Sequence, residues 1–205
     1  MKSFFSSENW FWKGFGRIAD YFIISTMWMV CSVPLITAGT ASIALYDTVA
    51  HCIRGGELDI ARRFFGTFKK ELGRGTLLTL LWGAVTAVLN VGYQIVTQMG
   101  QGTLWQVFGI AYYITLLLPL GIICWLLAIE SRFSHKFGEL HRTALMVTIS
   151  HLPQTLAIVA IFVAALNVCR NFPFFLMFVP AFMAHIQSIF FEKVFQKYTP
   201  EEPEV

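Results

Sequence analysis

Charge is what this 205-residue sequence has least of. Asp, Glu, Lys and Arg make up 13% of it, about half their share in soluble domains. The charges are also segregated: none falls from Tyr21 to Tyr46, Gly75 to Ile129, Thr143 to Cys169 or Asn171 to Phe191, runs of 26, 55, 27 and 21 residues. One bilayer crossing needs roughly 20 apolar residues. Runs of this length exclude an ordinary soluble domain, and the 55-residue run holds two crossings.

Other absences narrow the function. Cys31, Cys52, Cys124 and Cys169 lack the paired spacing of a zinc site or redox motif, which leaves them as small packing residues. The sequence has no Gly-rich phosphate loop, no HExxH and no Gly-x-Ser-x-Gly. In "HKFGELH", His135 and His141 are six apart, out of register for one helical metal face. Neither an enzyme nor a bound cofactor or metal is expected. The basic residues are spread along the chain, which argues against nucleic acid as a partner. No cleavable signal peptide is expected, because Met1 to Arg17 lacks an apolar core before a small-residue cleavage site.

What the sequence does have is hydrophobic length: 56% apolar residues, including 20 Phe. The expected fold is an all-α integral membrane protein. It is a single membrane domain over residues 1–198, followed by a disordered acidic tail at 199–205. Five transmembrane helices are expected near residues 18–38, 76–96, 104–129, 154–168 and 172–191, with "TQMGQGT" (Thr97 to Thr103) as a turn. The apolar stretch from Ile18 to Leu45 is too long for one crossing. As a helix it would rise about 42 Å against a hydrocarbon core of about 30 Å. Pro34 and Gly39 mark where it breaks.

The distribution of Lys and Arg sets the orientation. If the chain turns back at "PLITAG" (Pro34 to Gly39), 14 of the 15 lie on the inner side; with five crossings and an outside N-terminus, 11 do. The asymmetry favours an outer-face turn with both termini cytoplasmic in a bacterial cell membrane. The return arm, residues 40–53, is short, about 21 Å, and carries Asp47. It is either a re-entrant half-span or an interfacial helix. Both arrangements put residues 54–74, residues 131–142 and the C-terminus in the cytoplasm.

The connectors are amphipathic. In "IARRFFGTFKKEL" (Ile60 to Leu72), Phe64 and Phe68 share one face with Arg62, Arg63, Lys69 and Lys70 around it. This pattern fits an interfacial helix against the lipid bilayer or a docking helix for a partner. "RFFGTF" leads to "AVLNV" and "RFSHKF" leads to "AALNV", a candidate duplication.

Ionisable residues in membrane segments are costly and therefore mark candidate sites. Asp47 stands out. With His51 one turn on, it could bind a cation, relay a proton or pair with a nearby Arg. Glu130 and Glu192 lie at inner helix ends beside basic residues, Arg132 among them, and are expected to form solvated ion pairs at the interface. His151, just before Pro153, is placed to hydrogen-bond backbone carbonyls freed by the proline. Asn90, Gln94 and Asn167 are expected to join neighbouring helices.

"CSVPLITAGTASIAL" (Cys31 to Leu45), "FFGTFKKELGRGTLL" (Phe64 to Leu78), "ESRF" (Glu130 to Phe133) and "SHLPQTL" (Ser150 to Leu156) together resemble the YesL family. These are small multi-pass membrane proteins of Gram-positive bacteria that carry a domain of unknown function. The resemblance implies an accessory or sensing role beside carbohydrate uptake, with an ATP-driven sugar transporter or a sensor protein as partner. It carries over no catalytic residues. The alternative from the residues alone is a small-solute or ion transporter or channel centred on Asp47, which would need a homo-oligomer to enclose a path.

Overall fold

The computed structural model describes residues 10–98, 102–132 and 136–198. The acidic tail and the tip of the "TQMGQGT" turn lie outside the described residues. Among those residues all regular structure is helical: α1 Trp10–Ser32, α2 Ala38–Thr48, α3 Ile60–Lys70, α4 Leu72–Gln98, α5 Thr103–Arg132, α6 Phe137–Ser150, α7 Leu152–Asn171 and α8 Val179–Tyr198. The last segment, expected from Phe172, starts at Val179. Pro173 opens a 3-10 turn over Pro173–Met177, and Pro180 sits in the first turn of α8.

Three helices are long and apolar enough to cross a membrane: Leu72–Gln98, Trp105–Arg132 and Leu152–Asn171. Only 11%, 25% and 17% of their apolar windows are buried inside the protein, so most of their apolar surface faces outward, as a lipid solvent requires. Helices α1 and α8 fall short of that apolar standard; α1 carries Lys13, Arg17 and Asp20, and α8 carries Glu192, Lys193 and Lys197.

The break at Pro34 is a reversal. Pro34 lacks the N–H that would continue α1, and beyond the helix end the Cys31 carbonyl accepts from the Thr37 hydroxyl at 2.6 Å. Helix α2 then runs back along α1, where Trp28 Nε1 donates to Ser42 Oγ at 3.1 Å. Helix α2 is the most enclosed element: every residue from Ile43 to Val49 is buried. A π-helical turn over Val49–Arg54 carries it on, and Gly56 (φ +78°) ends it in the left-handed region.

The small residues of α2 bring it against α4. A Cβ on Gly75 would lie 2.6 Å from Thr40 Cα and 2.8 Å from Thr40 N. The Gly39 N–H donates to Thr79 Oγ1 at 2.9 Å, which satisfies a donor in the first turn of α2. Thr79 is only seven residues into α4, and about 28 Å of α4 continues beyond that contact. The α1/α2 tip therefore lies partway along α4, not at its far end. The tip residues Val33 (77% exposed), Leu35 (81%) and Ile36 are apolar and uncovered.

The core centres on Trp125 of α5, which is fully buried. Its ring meets Phe191 edge-on at 4.8 Å, and its N–H donates to Thr155 Oγ1 at 3.0 Å. Thr155 Oγ1 also lies 3.2 Å from the Thr148 carbonyl and 3.0 Å from that of His151. These bonds fasten the α6/α7 corner beside His151 and Pro153. Asn90 and Asn167 donate back to Thr86 and Val163 of their own helices rather than to neighbours.

The α2–α4 contact can be tested with a matched pair of variants. Gly75→Ala is expected to destabilise by about 1–3 kcal/mol, since the added methyl must push backbone apart. Gly83→Ala, where a Cβ meets nothing within 4 Å, is expected to stabilise by about 0.5–1 kcal/mol through helix propensity. Thermal unfolding in detergent distinguishes them, and equal effects would refute the close crossing.

Candidate functional site

The charges gather at one end of the bundle, around the C-terminal half of α2. Asp47 is 3% exposed. Burying a carboxylate is unfavourable unless it is paired and hydrogen-bonded. Helix α3 meets that need. Arg63 closes on Asp47 as a fork, Nε to Oδ2 at 2.7 Å and Nη2 to Oδ1 at 2.9 Å, and Thr67 Oγ1 donates to Oδ2 at 2.7 Å. Residues 63 and 67 are one turn apart, so they share a face of α3.

His51 completes the cluster. Its Nδ1 lies 2.9 Å from the Asp47 carbonyl and 3.2 Å from Oδ1, and both ring nitrogens lie 3.1 Å from Arg63 Nη2. Glu57 stands 3.7 Å from Arg63 on the outer side. The hydrogen bonds that Arg63 donates to Asp47, together with that carboxylate's charge, outweigh burial and hold the guanidinium above its ordinary pKa. A raised basic pKa stabilises the fold at every pH below the unfolded value, so this contribution persists through the ordinary range and is lost only in strong alkali.

A second tier of charge lies beside the first. Arg74 Nη1 donates to Glu130 Oε1 at 3.0 Å, and Arg132 Nη2 donates to Glu192 Oε2 at 3.1 Å. Lys70 Nζ is 3.3 Å from Glu71 Oε1. Between the tiers lies a polar cavity of about 490 Å³, with Asp47, Glu57, Arg62, Lys70, Glu71 and Glu130 among its walls. A separate cavity of about 580 Å³ lies deeper among the helices. It is walled by residues such as Trp28, Trp82, Leu126, Phe162 and Met183, and no charged side chain lines it.

The structure brings Asp47, His51 and Arg63 together and sets Glu130 in the adjoining cavity. Glu130 pairs with Arg74 and Glu192 with Arg132. Pro34 and Gly39 stand at the far end of α2, and His151 and Pro153 at the α6/α7 corner, apart from this cluster. Helix α3 differs from the expected surface helix. Phe64 is fully buried against Val49 and Ile24, and Phe68 packs on the same cluster. Arg62, Lys69 and Lys70 remain exposed. The amphipathic face is used inward because α2 leaves an apolar flank and a buried carboxylate for it to cover. Sequence reading missed Thr67 and Glu71. The i+4 step from Arg63 to Thr67 is a legible signal once Asp47 is taken as the acceptor.

Residues 21–93 match the model of a family described as a protein of unknown function, DUF624. That stretch runs from α1 to α4 and contains Asp47, His51, Arg63, Thr67 and Arg74. No curated protein and no solved structure matches the chain.

Removing one partner of the Asp47 cluster should be worse than removing both. Asp47→Ala is expected to destabilise by about 2–4 kcal/mol, below the figure for a sealed pair because Arg63 is one-third exposed. Asp47→Leu combined with Arg63→Met should recover most of that loss. Thermal melts of both variants in one detergent decide the point. A double variant no better than Asp47→Ala would mean that the charges are needed for more than mutual compensation.

Proposed function

We propose that the protein is a membrane-embedded accessory or regulatory component associated with carbohydrate uptake, acting through its charged end and α3. The observation that carries the non-transporting part is the closure of Asp47. The carboxylate is neutralised by a forked arginine and a threonine, while the deeper cavity lacks charge altogether. A solute or ion path would need polar groups free to exchange ligands through the bilayer's depth.

The carbohydrate association rests on the resemblance to the YesL family through Cys31 to Leu45, Phe64 to Leu78, Glu130 to Phe133 and Ser150 to Leu156. The DUF624 match over residues 21–93 is consistent with such a family. In this reading α1, α4, α5, α7 and α8 sit in a bacterial cell membrane, α2 is re-entrant, and both termini and α3 are cytoplasmic. An ATP-driven sugar transporter or a sensor protein would dock on the exposed Arg62 and Lys69 of α3.

Sidedness comes first. Single cysteines at Ser6 and Gln98 in a cysteine-free background are expected to react with an impermeant thiol reagent in intact cells at position 98 and not at position 6. The opposite pattern would reverse the orientation and place α3 outside.

Affinity purification from native membranes is then expected to retain a transporter subunit or sensor, with more than half of it lost in Arg62→Glu/Lys69→Glu at unchanged melting temperature. A chain that retains no such partner would overturn the accessory reading. In liposomes the protein alone should pass no sugar or ion. Flux abolished by Asp47→Asn would establish the oligomeric transporter instead.

A further inference from the structure

One group in the polar cavity has an unmet need. Glu130 is 6% exposed; its Oε1 accepts from Arg74, but its Oε2 is enclosed and has no donor. Glu71, itself 7% exposed, lines the same cavity. Two buried carboxyls lining one cavity repel unless a positive charge or a proton lies between them.

The protein's own cations are committed elsewhere. Arg63 is held by Asp47, Arg74 by the other oxygen of Glu130, and Arg132 by Glu192. Lys70 reaches Glu71 Oε1 at 3.3 Å from an exposed position. A metal ion is poorly matched, since among the described residues no group of three or more His, Cys, Asp or Glu could hold one. A primary ammonium group suits the site better. It brings one charge and three N–H donors, which fit Glu130 Oε2, the Glu71 carboxyl and the Ser131 hydroxyl on the same wall. Arg62, also in that wall, is exposed and engaged in no hydrogen bond or ion pair among the described residues. It is available to a phosphate beside the amine.

We propose that this cavity binds a primary ammonium group, with Glu71 and Glu130 as its acceptors, carried by an aminophospholipid headgroup or by a soluble amine phosphate of the same chemistry. The position favours the lipid source, because the cavity opens beside the amphipathic α3 and the ends of two span-length helices. The inference stands independently of which protein partner docks on α3.

The test uses the full chain in nanodiscs of phosphatidylglycerol mixed with either phosphatidylethanolamine or phosphatidylcholine, whose quaternary nitrogen has no N–H. Ethanolamine lipid near ten times its dissociation constant is expected to raise the melting temperature by about 3–6 °C over the choline lipid. Glu130→Gln and Glu71→Gln should each abolish that difference. A soluble source would show instead as the same rise when phosphoethanolamine, but not phosphocholine, is added to choline discs. That comparison needs only the wild-type protein if a variant fails to fold.

Equal melting temperatures in both lipids with no response to phosphoethanolamine would overturn the proposal. So would an ethanolamine effect that survives both substitutions, which would be a property of the bilayer. Stabilisation by acid alone, with no amine response, would assign the site to a shared proton and also overturn it.

Discussion

A carboxylate in the most enclosed helix of an apolar protein constrains everything around it. Asp47 is almost wholly buried, at 3% exposure, where an unpaired charge would be strongly unfavourable. It therefore requires a cation with fixed geometry. Arg63 supplies two donors in a planar fork, a geometry that a lysine does not reproduce. The requirement sets the position of α3: once Arg63 is on Asp47, Thr67 falls on the same carboxylate and Phe64 falls into the apolar flank of α2. Docking α3 in turn fixes the start of α4, because only Glu71 separates the two helices.

The second constraint acts at the other end of α2. Association of helices in lipid has little hydrophobic driving force and depends on close packing and hydrogen bonds. Gly39, Thr40 and Gly75 allow backbone-to-backbone approach, and Thr79 takes the exposed amide of Gly39. A short helix built from Ala, Gly, Ser and Thr is weak as a lipid-facing span and good as a central strut, because its neighbours can reach its backbone. Pairing at one end and close approach at the other hold α2 as the strut against which α1, α4, α5 and α8 pack.

Much of this was legible from residue order alone. The segregation of charge marked the apolar helices, and the three that are long and apolar enough to cross a membrane fall where hydropathy placed them. Pro34 marked the break, since α1 ends at Ser32 and α2 begins at Ala38, while counting Lys and Arg reports on sidedness and says nothing about how far a hairpin penetrates. The use of α3 was also misread in part. A hydrophobic face ringed by Arg and Lys has the same pattern whether it lies on headgroups or on protein; only the neighbouring buried carboxylate separates the two, and that contact spans 16 residues of sequence. Glu71 was invisible for a related reason. As one acid in a basic connector it looks solvated until α5 brings Glu130 against it.

The distribution of polarity bears on mechanism more directly than any single residue. Polar side chains that span the depth of the apolar helices are mostly spent on their own backbone: Thr86, Asn90, Thr97, Thr115 and Asn167 all bond to carbonyls three or four residues back. Such bonds satisfy these side chains' donors within their own helices. At the charged end Glu130 keeps an enclosed oxygen without a donor and Arg62 stays unpaired, while enclosed polar atoms of Ser32, Tyr46, Thr76 and His185 in the helical body also lack hydrogen-bond partners. Ion pairs gathered at one end of an apolar helical body put the groups able to meet a charged partner at that end.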